Sequence, residues 1–265
     1  MNNELKTMNN KLAKSGFSLT EVLLAVATLA IGMLFIAGTF LAGIYLTAVA
    51  AERTTAAVVA DEAFAKIRLY AVGDPANPAD DIDLSRLRTN GFLDFTQAFG
   101  SAVYIDPNEF AYPSDNNATS VKQYYWTALC RRIDPNALSR LVQVTVFVTR
   151  KTASAASYQG AERPTPMVVS ISATPGTNVL TQRYGPNLTW INDGCTIMDN
   201  RTGEIYRVLQ RRDNVPALGP PPVGPTIELD RPWEGAPGAV VWVVPPPIGS
   251  GKDPCIAIYQ KVMRF

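Results

Sequence analysis

Glu21 is the residue whose position most clearly requires a chemical partner. It stands directly before an apolar run, from Val22 to Ala51, that carries no charged residue. An acidic side chain at the centre of a membrane helix costs about 2.5–3.5 kcal/mol on insertion scales, so a carboxylate at the edge of this run needs compensation. An ammonium group one helical turn away would supply it. The alternative is a glutamate at the membrane edge that faces headgroup water.

The rest of the chain offers few groups that could catalyse a reaction. The sequence has no histidine, which removes the commonest general base and every Ser-His-Asp arrangement. It also lacks a G-x-S-x-G nucleophile motif, although a pair of carboxylates remains open as a catalytic device. No two of the three cysteines form a C-x-x-C motif, and their spacing matches no metal-binding pattern. We therefore expect no enzymatic activity, no metal and no cofactor.

The cysteines leave two states open. If the body lies outside the cytoplasm, one disulfide and one free thiol would form. We expect the pair to be Cys195 and Cys255, because both fall in the last segment, and Cys130 would then stay free. Three buried thiols are the alternative.

A basic segment precedes the apolar run. Lys6, Lys11 and Lys14 lie there with Glu4 as the one acidic residue, a charge bias that places the N-terminus in the cytoplasm. About 20 apolar residues cross a bilayer as a helix, and an ordinary signal peptide has an apolar region of about 7–15 residues. The run therefore predicts a single-pass membrane helix over residues 17–51 rather than an ordinary signal.

The stretch Gly16-Phe17-Ser-Leu-Thr-Glu21, followed by an apolar run, is similar to the processing signal of type IV pilins and type II secretion pseudopilins. In that family a membrane aspartyl peptidase cuts after the glycine and N-methylates the new first residue. The resemblance implies a leader peptide over residues 1–16, cleavage between Gly16 and Phe17, and methylation of Phe17. It also implies that Glu21 serves methylation and subunit docking, paired with the Phe17 ammonium of its own or a neighbouring chain.

Three glycines depart from the pattern of many major pilins, which have a helix-kinking proline about 22 residues into the mature chain. Gly38 stands there in this sequence, with Gly32 and Gly43 nearby. Glycine weakens a helix by up to about 1 kcal/mol relative to alanine, which would permit local melting during assembly. Close packing of helices through the glycines is the alternative.

The resemblance implies a structural subunit, of the minor type, in a type IV pilus or type II secretion pseudopilus. Its partners would be other subunits, the prepilin peptidase, an inner-membrane assembly platform and, before assembly, membrane lipid. It would leave the inner membrane for a pilus or a periplasmic pseudopilus. The rival hypothesis is a secreted or membrane-anchored binding protein or hydrolase whose ordinary signal is cleaved near Ala50, where Ala48-Val-Ala50 resembles a peptidase site. An uncleaved anchor that carries an enzyme is a third hypothesis.

The helix should continue beyond the apolar run. Apolar residues recur there at helical spacing, and Gly73-Asp-Pro75 is a stop signal, so one helix is expected over residues 18–72. The stripe that should pack on a sheet consists of Ala56, Ala60, Ala63, Phe64, Ile67 and Tyr70. A pilin-like α+β domain over residues 52–174 follows from this, with a long N-terminal helix packed on an antiparallel β-sheet.

Two β-rich regions are predicted after the helix. Residues 123–130 and 141–149 indicate a hairpin around Asp134-Pro135-Asn136, with 167–171 as a third strand. Fifteen of the 20 prolines follow residue 163, and we expect a second small all-β subdomain, a sandwich or barrel, over 175–265. Its strands are predicted at 195–198, 204–209, 226–229, 239–244 and 256–259.

The charge balance argues against a nucleic-acid partner. The formal net charge is +1, and the body has no basic cluster larger than Arg131-Arg132. Tyr124, Tyr125 and Trp126 could stack on bases or sugars, but without a cationic groove we expect them to pack in a core.

Overall fold

One long helix, α1 (Leu19–Val72), precedes eleven β-strands within the described residues, and every strand pair is antiparallel. The structure is a computed structural model that describes residues 18–72, 83–98, 105–114, 122–136, 139–153, 156–159, 162–183, 187–213, 224–249 and 252–265. The predicted α+β class is confirmed. The chain divides into two compact units, Met1–Ala51 and Glu52–Phe265.

The helix changes character along its length. No side chain from Leu19 to Ala48 is buried, whereas the part within the second unit buries one stripe. That stripe follows the predicted helical spacing and consists of Ala56, Val59, Ala60, Ala63, Phe64, Ile67 and Ala71. Tyr70 is partly buried beside it. The expected bounds of the helix are confirmed to within one residue.

Five strands form an open sheet and six form a closed barrel. The strands are β1 (Leu93–Asp94), β2 (Ala111–Tyr112), β3 (Tyr124–Arg132), β4 (Leu141–Arg150), β5 (Met167–Ala173), β6 (Val179–Gln182), β7 (Thr196–Asp199), β8 (Ile205–Arg212), β9 (Thr226–Leu229), β10 (Val240–Val243) and β11 (Cys255–Arg264). The sheet runs β1-β3-β4-β11, with β2 also paired to β3. The barrel runs β10-β5-β6-β9-β8-β7 and back to β10, so none of its strands is a free edge.

Both faces of the sheet are covered. Successive side chains of a strand point to opposite sides, so each face contributes to its own core. Alternate residues of β3 and β4, among them Trp126 and Val146, share one core with the buried stripe of α1. The intervening residues Leu129 and Phe147 share another core with Met198 of the barrel. Trp126 thus lies in a core, as predicted.

Two strands pair differently from the sequence interpretation. Residues 167–171 were expected beside the hairpin, but β5 pairs with β6 and β10 in the barrel. Residues 256–259 were grouped with the proline-rich segment, but β11 pairs with β4 from Leu141↔Arg264 to Thr149↔Cys255. The closed barrel leaves no free edge for β11, whereas the edge of β4 opposite β3 is open to it, and both strands have ten residues.

A tight turn between two barrel strands is hydrogen-bonded to residues of the sheet and of the segment before β1. The segment 199–204 between β7 and β8 is held by the buried Asp199 carboxylate, which accepts from the Thr202 hydroxyl at 2.8 Å and from two backbone N–H groups. Asn200 Oδ1 accepts from the Phe92 backbone N–H at 3.0 Å. The Gln260 amide of β11 donates to the Gly203 carbonyl at 2.6 Å. We call this segment the docking turn.

Candidate functional site

Glu21 lies in the first turn of α1. Ser18 caps the helix: its hydroxyl accepts from the Glu21 backbone N–H at 3.2 Å, and its carbonyl accepts from the same group at 3.0 Å. A serine followed three residues later by glutamate is the capping-box pattern, and a carboxylate is favoured beside the positive end of the helix dipole. The Ser18 cap thus uses the backbone of Glu21, and the Glu21 carboxylate lies where the helix dipole favours an anion.

The apolar half of α1 is long and apolar enough to cross a membrane. Its most apolar 18-residue window has a mean hydropathy of 2.3, and none of that window is buried. Large side chains such as Leu24 (67% exposed) and Phe35 (72% exposed) have no apolar contact that covers them. A surface of this kind needs lipid or other apolar helices around it.

Three threonine hydroxyls within this half are bonded to the helix backbone. The Thr28 and Thr39 hydroxyls each donate to a backbone carbonyl three residues earlier at 2.9 Å. The Thr47 hydroxyl donates to the Gly43 carbonyl at 2.8 Å. An apolar medium requires such internal pairing, because an unpaired hydroxyl there costs free energy.

The three glycines expected to serve helix flexibility or packing lie on the open surface of α1. A Cβ atom added at Gly32, Gly38 or Gly43 would meet no atom within 4 Å. Gly43 lines a shallow apolar groove together with Ile36, Phe40 and other residues of the same half. These positions are therefore free for the close approach of another helix.

Sequence reasoning located Glu21 and the glycines but missed two features of the same helix. The Ser18-x-x-Glu21 cap was readable from the capping-box pattern. The threonine hydroxyls that bond to the backbone were readable from threonine in an apolar run. Gly16 and Phe17, the predicted processing site, lie outside the described residues, so the pairing of Phe17 with Glu21 stays a prediction.

No protein-family model, curated protein or solved structure matches this chain. Within the described ranges, no group of three or more Cys, Asp or Glu side chains is placed to hold a metal ion.

Cys195 and Cys255 lie on either side of one carboxylate. Asp253 accepts from the Cys255 backbone N–H at 2.9 Å and also from the backbone N–H of Thr196, the residue after Cys195. All three cysteines are free thiols in the structure. Burial raises the pKa of Cys195 to about 12, and burial followed by the nearby Asp253 carboxylate raises that of Cys255 well above its usual value. These thiols are therefore protonated at neutral pH, and the expected disulfide stays a prediction.

Asp253 itself is an unusual carboxylate. Removal from water raises its pKa from 3.8 to about 6, although the two backbone N–H groups and, more weakly, Arg207 act in the opposite direction. Its folded-state pKa thus exceeds its unfolded value, so the folded protein binds more protons between about pH 4 and 6. Asp253 therefore makes the folded state more stable as the pH falls through this window.

We predict that Asp253→Asn raises the free energy of unfolding at pH 7.5 and brings no comparable gain at pH 4.5. The gain in the free energy of unfolding of the variant over the wild-type protein should be about 2 kcal/mol smaller at pH 4.5 than at pH 7.5. Chemical denaturation of the detergent-solubilised chain, followed by tryptophan fluorescence, measures it. Asp61→Asn is the control, because Asp61 is an exposed acid of α1. A difference that is the same at both pH values would contradict the prediction.

Proposed function

We propose that this chain is a structural, non-enzymatic subunit, of the minor type, of a type IV pilus or a type II secretion pseudopilus. The observation that carries the proposal is the order of the N-terminal features: a basic leader, Gly16-Phe17, Glu21 and then an apolar helix. The exposed apolar half of α1 supports it, because such a surface suits first a bilayer and then a bundle of like helices.

Assembly is the proposed mechanism. The prepilin peptidase cuts after Gly16 while the subunit waits in the inner membrane, with its N-terminus in the cytoplasm. An assembly platform extracts the helix, and its contacts with lipid are exchanged for packing against neighbouring helices. The Phe17 ammonium of one subunit then pairs with Glu21 of the next, which fixes the axial register. Gly32, Gly38 and Gly43 give backbone surface for close packing.

The second unit supplies the subunit body on the outside of the filament. We propose a pilin-like arrangement in which the buried stripe of α1 packs on one face of the β3-β4 sheet, supported by the core that Phe64 and Val144 share. The barrel covers the other face and is a further module beyond that arrangement. Its position makes it available for display on the filament surface.

Dependence on the prepilin peptidase tests the proposal. In cells that lack this enzyme, the chain should keep the residues before Phe17, and intact-mass measurement of membrane extracts should show the change. The rival hypothesis, cleavage near Ala50 by an ordinary signal peptidase, predicts the same mature mass in both strains. An unchanged mass would overturn the proposal.

A further inference from the structure

A cavity lined by cations lies beside the beginning of β3. Its volume is about 490 Å³, within the range of about 300–1,000 Å³ that is typical of small-molecule sites. Lys122, Lys151 and Arg163 line it, against one acidic residue, Glu162. Phe110 contributes an apolar part of the lining. The cavity thus combines a positive charge excess with an apolar surface.

Arg163 is the central group of this cavity. Its guanidinium lies 4.0 Å from the centroid of the Phe110 ring, and one N–H donates to the Trp126 carbonyl at 3.3 Å. A guanidinium has five N–H donors, so most of its donor capacity is unused by the described residues. Among those residues, no carboxylate forms a salt bridge with Arg163.

Burial leaves the charge of Arg163 poorly compensated. Removal from water lowers its pKa to about 10, so it remains cationic at neutral pH. The next influence is the Asp94 carboxylate, which acts from beyond salt-bridge distance and accepts from the Thr96 hydroxyl at 2.6 Å. A partly buried cation without a close counter-ion is stabilised by an anion that enters the cavity.

We propose that this cavity binds a small organic anion that carries a carboxylate or phosphate group on an apolar body. The guanidinium of Arg163 holds the oxyanion through two parallel N–H donors, because its planar fork matches carboxylate and phosphate geometry. Lys122 and Lys151 add positive charge around the oxyanion. The apolar body lies against the Phe110 side of the cavity. This ligand site goes beyond the proposed structural role and does not depend on it.

Three probes of equal ring size test the site: phenyl phosphate, benzoate and phenol. Isothermal titration of the detergent-solubilised full chain at low ionic strength should show binding of at least one anion and none of phenol. A preference for phenyl phosphate assigns a phosphate ligand, and a preference for benzoate assigns a carboxylate. Arg163→Gln should weaken binding of the preferred anion at least about tenfold, as expected for the loss of a charge-assisted hydrogen bond.

Two further variants keep the test decisive if Arg163→Gln disturbs the fold. Lys151→Gln should weaken binding about threefold while the stacking of Arg163 on Phe110 is preserved, since only a peripheral charge is removed. Arg183→Gln removes an exposed arginine outside the cavity and should bind like the wild-type protein. The proposal is overturned if neither anion binds, if phenol binds as well as the anions, or if Arg183→Gln and Lys151→Gln weaken binding equally.

Discussion

Glu21→Ala should leave membrane insertion and cleavage intact and should abolish incorporation into filaments. The apolar run after Glu21 still inserts, and the Gly16-Phe17 bond is unchanged. In the filament, however, the Phe17 ammonium of the neighbouring subunit would lose its counter-ion among apolar helices. Breaking such a buried pair costs about 3–5 kcal/mol, which corresponds to a loss of incorporation of more than about a hundredfold. Quantitative immunoblots of sheared filament and membrane fractions measure it.

Glu21→Gln separates the charge of Glu21 from the size of its side chain. Glutamine has nearly the size and shape of glutamate, and it keeps the backbone N–H that donates to the Ser18 hydroxyl, so this variant removes only the charge. We expect it to fail in assembly like the alanine variant. Asp61→Ala, which removes an exposed acid farther along α1, should assemble normally. Normal incorporation of Glu21→Gln would contradict the ion-pair role of Glu21.

Gly203→Ala should lower the free energy of unfolding by about 2–5 kcal/mol, because the docking turn has little room for a Cβ atom and a backbone conformation that favours glycine. Gly203 has a positive φ of 80°, a conformation that costs other residues about 1–2 kcal/mol. An added Cβ would also lie 2.9 Å from Phe92 Cζ and 3.0 Å from Gln143 Nε2. Relief of that overlap would displace Phe92 and Gln143 at the contact between the docking turn and the sheet, at a typical overpacking cost of about 1–3 kcal/mol.

Gly176→Ala is the matched control for this clash. Gly176 has nearly the same φ, 84°, and an added Cβ would meet no atom within 4 Å. It should therefore show the backbone cost alone, about 1–2 kcal/mol. Chemical denaturation of both variants in detergent compares them. Equal losses of stability would contradict the role of the docking turn in holding the barrel on the sheet.

The sequence predicted local elements well because their signals are local. The helical spacing of the stripe and the stop at Gly73-Asp-Pro75 placed α1 to within one residue. β-Branched and aromatic residues placed β3 and β4 to within two residues. Strands β1 and β2 were missed because two residues carry no periodicity. The four-residue strand β6 was also missed, although β7 and β9, which have the same length, were predicted.

Partner choice between strands could not be predicted, because it is decided by contacts between distant segments. β11 pairs with β4 across more than a hundred intervening residues, and β5 closes a barrel with β10 rather than extending the nearby hairpin. The cavity around Arg163 was missed for the same reason, since Lys122, Lys151 and Arg163 are separated in sequence. Glu21 was found because its carboxylate stands out within one apolar run.

Mass spectrometry of the native mature N-terminus tests the proposed function most directly. The peptide that begins the mature chain should start at Phe17 and carry one N-methyl group, because cleavage at Gly16-Phe17 creates the ammonium that Glu21 requires. A mature chain that begins at Ala51 would lack both Glu21 and the apolar half of α1, and this result would contradict the assignment as a filament subunit.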